Sequence, residues 1–198
     1  LFLLLPGLPA RAEPPATWPI PTEGTSWYRV TLLGQPSGYM SSSARLGRDE
    51  QGEEFLEIAE RQVITIALGG QTLRVAQDLV TRYARDLSPV RWSLRLDKLG
   101  QLQELTAQRE GTSLHIVSTE AGQRREQTVP LPPDFCGELQ MFAAVVKGAL
   151  QPGQSRTHTA FVPVVGALDT ETITVGEPET LQVQGRPQRT FPLRPALH

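Results

Sequence analysis

RWSLRLDKL, residues 91–99, alternates strictly: Trp92, Leu94 and Leu96 fall on one side of an extended chain, and Arg91, Ser93, Arg95 and Asp97 on the other. Successive side chains of a strand point to opposite faces. The pattern is therefore that of a half-buried β-strand, one face in a core and one in water. The same period extends outward in both directions. TLRVAQDLV (72–80) places Leu73, Val75 and Leu79 together, and VITIAL (63–68) and SLHIV (113–117) are further β-rich runs. Gly69-Gly70, Leu99-Gly100, Glu110-Gly111 and Ala121-Gly122 punctuate these runs at short intervals. Connections so short fit antiparallel hairpins, because parallel crossovers need a dozen or more residues.

WYRVTLLGQPSGYMSSSAR, residues 27–45, reads as another hairpin. Trp27–Leu33 is expected to run out, Gly34–Ser37 to reverse, and Gly38–Ala44 to return. Pro36 suits a turn, and the glycines allow positive φ. A phosphate-cradling loop would require a helix directly after it, and YMSSSAR lacks helical periodicity.

One segment departs from period two. In CGELQMFAAVVKGAL, 136–150, the residues Leu139, Phe142, Ala143, Val146 and Leu150 recur at helical spacing. Asp134 is a plausible N-cap, and Pro152-Gly153 supplies a stop. Strands resume in RTHTAFVPVV (156–165), TETITV (170–175), TLQVQG (180–185) and RTFPLR (189–194). The expected fold is mainly β (α+β), a single curved antiparallel sheet or half-barrel of about ten strands. Helix 136–150 packs on its concave face, burying Leu139, Phe142 and Val146. On that reading Phe142→Ala would cost ~3–5 kcal/mol and Lys147→Ala at most ~0.5 kcal/mol.

The chain has 198 residues, a formal net charge of −2 and one cysteine. That length suits one substantial domain. It shows no basic stripe, so nucleic acid is not an expected partner. LFLLLPGLPARAEPP opens the sequence. Its apolar run followed by Ala10-Arg11-Ala12 reads as the remnant of a secretory signal peptide, residues 1–12. A Pro-rich arm follows at 13–25, then the β domain at 26–194 and a tail at 195–198. The run is too short to span a bilayer, and no later segment suggests a transmembrane helix. The expected location is extracytoplasmic, periplasmic or secreted.

Cys136, His158 and Asp169 stand in the order of a papain-like or transglutaminase-like triad, with the cysteine near a helix start. The short link from the helix to His158 argues against their convergence, leaving a small buried cysteine and two surface residues. His115 is expected on a sheet surface. Asp49, Glu50, Glu53 and Glu54 form a solvated acidic loop without the regular spacing of a calcium site. Ser41–Ser43 lack a nucleophile elbow. No metal and no cofactor are expected.

Three stretches carry a family resemblance: WYRVTLLGQPSGYMSSSAR, QTVPLPPDFCGELQMFAAVVKGALQPGQSRTHTAFVP and ETITVGEPETLQVQGRPQRTFPLR. Together they resemble the N-terminal β-rich region that precedes the catalytic domain in secreted bacterial transglutaminase-like proteins. The resemblance implies a non-catalytic accessory region that positions a protein partner or a downstream catalytic domain. Cys136 is not the family's catalytic cysteine by position, so no catalytic residue carries over. The strand pattern also looks similar to periplasmic lipoprotein-carrier folds. That implies an alternative role as a lipid-binding carrier, with an apolar cavity lined by Trp92, Leu94, Leu96, Phe142 and Val146.

Overall fold

A computed structural model describes Trp18, 23–32, 34–68, 71–183, 186–190 and 192–197. The leader, most of the Pro-rich arm, the Gly69-Gly70 turn and His198 lie outside the described residues. The chain divides into two compact units, one formed by Thr22–Pro133 with Phe161–Ala167, the other by Asp134–Ala160 and Leu168–His198.

The first unit carries an eight-stranded antiparallel sheet, not closed into a barrel, whose spatial order is its sequence order. Its strands are β1 (Gly24–Leu32), β2 (Gln35–Arg48), β3 (Glu54–Leu68), β4 (Gln71–Tyr83), β5 (Pro89–Lys98), β6 (Gln101–Glu110), β7 (Ser113–Glu120) and β8 (Gln123–Pro130). The mainly β, antiparallel reading is borne out. In β5 every second residue from Trp92 to Leu96 is buried while Arg91, Ser93 and Arg95 are exposed. Across the neighbouring strands Leu94 opposes Leu79 and Leu105, and Trp92 opposes Thr81 and Ala107. Leu56, Leu114 and Ile116 complete this buried face. Each fully buried side chain of this kind contributes roughly 1.5–3 kcal/mol.

The hairpins close as the turn residues demand. Leu99 (φ 59) and Gly100 (φ 84) both take left-handed backbone, the primed turn that matches strand twist. The Asp97 carboxylate accepts the Gly100 N–H at 2.8 Å. The first hairpin forms, but Pro36 lies within β2, opposite Thr31, rather than in the turn. It is tolerated there because β3 reaches only as far as Gly38, so no neighbour on that side needs its missing N–H. Gly38 has a different reason: a Cβ there would sit 1.9 Å from the Val63 carbonyl oxygen.

The later strands do not extend this sheet. β9 (Ser155–Val162), β10 (Ala167–Val175) and β13 (Leu193–Leu197) form a three-stranded sheet in the order β13-β10-β9, and β11 (Glu179–Val183) pairs β12 (Arg186–Thr190). Hydroxyl pairs Ser155–Thr174 and Thr157–Thr172, each at 2.8 Å, tie β9 to β10.

The helix, α1 (Glu138–Val146), is shorter than 136–150 at both ends. Its N-cap is Gly137, whose N–H donates to the Gln140 side chain at 3.0 Å. Asp134 instead accepts the Thr159 hydroxyl at 3.1 Å. Gly148, at φ 72, ends it before Pro152. The buried side chains are Leu139, Met141 and Ala143. Met141 clusters with Cys136, Leu150, Ile173 and Val175, with Ala144, Val145 and Leu193 packed alongside. The core partners of this helix thus come from β10 and β13. That shifts the buried face from the expected one: Phe142 is half-buried and Val146 is 45% exposed. We therefore expect Met141→Ala to cost about 2–5 kcal/mol, more than Phe142→Ala, with Lys147→Ala near zero. Urea unfolding of the three variants checks the ranking, and an equal loss for Met141 and Phe142 contradicts it.

Candidate functional site

The triad residues do not form a hydrogen-bonded relay among the described contacts. The Cys136 thiol is buried and contacts the Gly137 carbonyl at 3.6 Å, and its N–H donates to the Thr159 carbonyl. Burial pushes this thiol above its ordinary pKa, against an opposing pull from Arg156, so the thiolate is disfavoured. His158 is not a surface residue: it is 1% exposed on β9, and among the described residues neither ring nitrogen has a hydrogen-bond partner. Its Nε2 lies 3.7 Å from the Glu171 carboxylate, just beyond hydrogen-bond reach. Burial holds this ring below the usual histidine range, against the pull of Glu171. Asp169 accepts the N–H of the adjacent Thr170.

The residues expected to line an apolar cavity fall in two units. Trp92, Leu94 and Leu96 belong to the eight-stranded sheet, and Phe142 and Val146 to the second unit. Phe161 stands edge-on to Trp92, with centroids 5.1 Å apart, and Gly166 approaches the Leu105 side chain. The segment Phe161–Ala167 thus covers part of the apolar face on which those β5 residues lie.

The opposite face of the sheet is ordered by charge. Arg45, Glu57 and Arg82 are directly opposed on β2, β3 and β4. Glu57 is buried, and Arg45 Nε and Arg82 Nε donate to its two oxygens at 2.6 and 2.8 Å. Burial alone would raise the Glu57 carboxyl, but these two guanidiniums hold it below the usual glutamate range. Arg82 also lies over the Phe55 ring, 4.4 Å from its centre. His115 takes its expected place on this face, 3.3 Å from Thr128 and 3.4 Å from Glu126. Three residues after Glu57, on the other face, Glu60 opposes Ser42 and Leu79, and burial raises its carboxyl. In the acidic loop, Asp49 caps the turn by accepting the Gln51 and Glu53 N–H groups, and Glu54 pairs Arg48. Among the described residues no group of three or more His, Cys, Asp or Glu is placed to hold a metal. No helix among them is long and apolar enough to cross a membrane.

The two outer edges of the sheet differ. β8, QRREQTVP, carries three consecutive charges, Arg124, Arg125 and Glu126, is exposed at all but one position and ends in proline, features that discourage a further strand. β1, GTSWYRVTL, has a single charge, Arg29, among β-branched and aromatic residues. Among the described residues no strand pairs its outer side. The bulge in this hairpin lies in β2, where Ser37 is the extra residue, so β1 stays regular over nine residues. Trp27 is 68% exposed and its ring is 5.7 Å from that of Tyr39. Leu32 and Tyr39 are also exposed. Among the described residues the edge therefore offers backbone groups without a strand partner, beside an aromatic pair. The strand at Trp27–Leu33 was visible in sequence, but nothing there distinguished an edge strand from an inner one.

Compared with protein-family models, with curated proteins and with solved structures, the chain matches none.

Proposed function

We propose that the protein is a non-catalytic, extracytoplasmic β-domain that binds an extended protein segment by strand addition at β1. The open β1 edge, with Trp27 and Tyr39 beside it, carries this reading. Strand addition draws affinity from main-chain hydrogen bonds and specificity from alternate side chains. Both edges have main-chain groups to offer, but the β1 edge adds exposed aromatic side chains, whereas β8 carries Arg124, Arg125 and Glu126 and ends in proline. The resemblance to the accessory region of transglutaminase-like proteins supports the same class of role, and the raised Cys136 thiol supports its being non-catalytic.

A photo-crosslinking residue in place of Trp27 tests this in the native host. Adducts are expected to map to one contiguous extended segment. The same probe at Leu102, 40% exposed on β6, should give few. Equal, scattered labelling from both positions contradicts the proposal.

A further inference from the structure

We infer that the segment added at β1 is the β1 strand of a second copy, the two sheets joining antiparallel about a two-fold axis at Tyr28. The inference rests on the strand-addition reading and names its partner. Directly opposed residues of an antiparallel pair share a face. A two-fold axis normal to the sheet must therefore pass between a residue and its own copy. β1 runs from Gly24 to Leu32, and its middle residue is Tyr28.

Centring there uses the whole strand. Gly24 opposes Leu32, Thr25 opposes Thr31, Ser26 opposes Val30 and Trp27 opposes Arg29, each pair occurring twice. The single charge of the strand then meets the exposed indole of the other copy, a favourable cation–π pairing. Centring on Arg29 sets two guanidiniums against each other, which is repulsive. Centring on Trp27 leaves two residues of each strand unpaired. Length and charge thus select one register.

Sedimentation and cross-linking test it. The wild-type chain should show concentration-dependent dimers at concentrations on the order of 100 µM, where small interfaces are populated. Trp27→Lys, which sets a lysine against Arg29, should shift the equilibrium to monomer. Tyr28→Cys should form an interchain disulfide under mild oxidation, because position 28 meets itself. Thr25→Cys should not, whereas the double variant Thr25→Cys/Thr31→Cys should. The wild type, with Cys136 buried, is the control. A monomer throughout the range, or equal cross-linking by Thr25→Cys and Tyr28→Cys, overturns the inference. If the chain is monomeric but the photo-crosslinker at position 27 labels a segment of another protein, self-pairing falls and strand addition stands. If it labels no contiguous segment, both fall.

Discussion

Replacing Glu57 with alanine is expected to lower the unfolding free energy by roughly 2–4 kcal/mol at neutral pH, the scale of losing a buried, doubly bonded charge. The carboxylate is buried in the middle of a sheet face and accepts from Arg45 and Arg82 on the two adjacent strands. Without it the two guanidiniums are left on either side of a small residue in one cross-strand row. Arg45 is largely exposed and can be resolvated, which keeps the loss at the lower part of the range for broken buried pairs. Arg82, also held over Phe55, is less free to move away.

The same pair gives a pH signature. Because the folded pKa of Glu57 lies below the ordinary value, its contribution is complete above the unfolded pKa, about 4.3. It is lost as pH falls through the folded value. The stability gap between wild type and Glu57→Ala should therefore be wide at pH 7 and narrow at pH values below the carboxylate range. Urea unfolding at several pH values measures it. A gap that stays constant down to acid pH would mean that Glu57 contributes by packing and not by charge.

Trp92→Ala should be the most damaging single truncation on the large sheet, at about 3–5 kcal/mol. The indole is buried between Thr81 and Ala107, and Phe161 meets it at an interplanar angle of 66°. Such edge-on aromatic pairs contribute about 0.5–1.5 kcal/mol beyond their buried area. A double-mutant cycle of Trp92→Ala with Phe161→Ala should return a coupling of that size. Leu102→Ala, on the neighbouring strand and 40% exposed, should stay within about 0.5 kcal/mol. Zero coupling would mean that Phe161–Ala167 does not hold the Trp92 side of the sheet.

The antiparallel meander was legible in the sequence because its causes are local. Alternation over Trp92, Leu94 and Leu96 fixes which residues enter the core, and Leu99-Gly100 fixes where the chain reverses. The Gly34 hairpin was legible for the same reason, although Pro36 moved from turn to strand. What the helix buries was not local. Met141 displaces Phe142 from the core because Ile173, Val175 and Leu193 arrive from strands about 30 to 50 residues away. The environments of Glu57 and Glu60 also follow from tertiary pairing. They lie three apart on one strand, yet one is clamped by Arg45 and Arg82 and the other faces Ser42 and Leu79. His158, outwardly a surface residue of a polar strand, is fully buried.

The candidate site divides along the same line. The sequence by itself determined that Trp27–Leu33 is one strand of a hairpin, since its β-rich composition and the turn residues after it suffice for that. Only the tertiary structure decided that β1 is the end strand among the described residues and that its neighbour's bulge leaves it regular. Which backbone groups remain unpaired depends on how many strands come to lie beside one another, and no local pattern in a chain encodes that number.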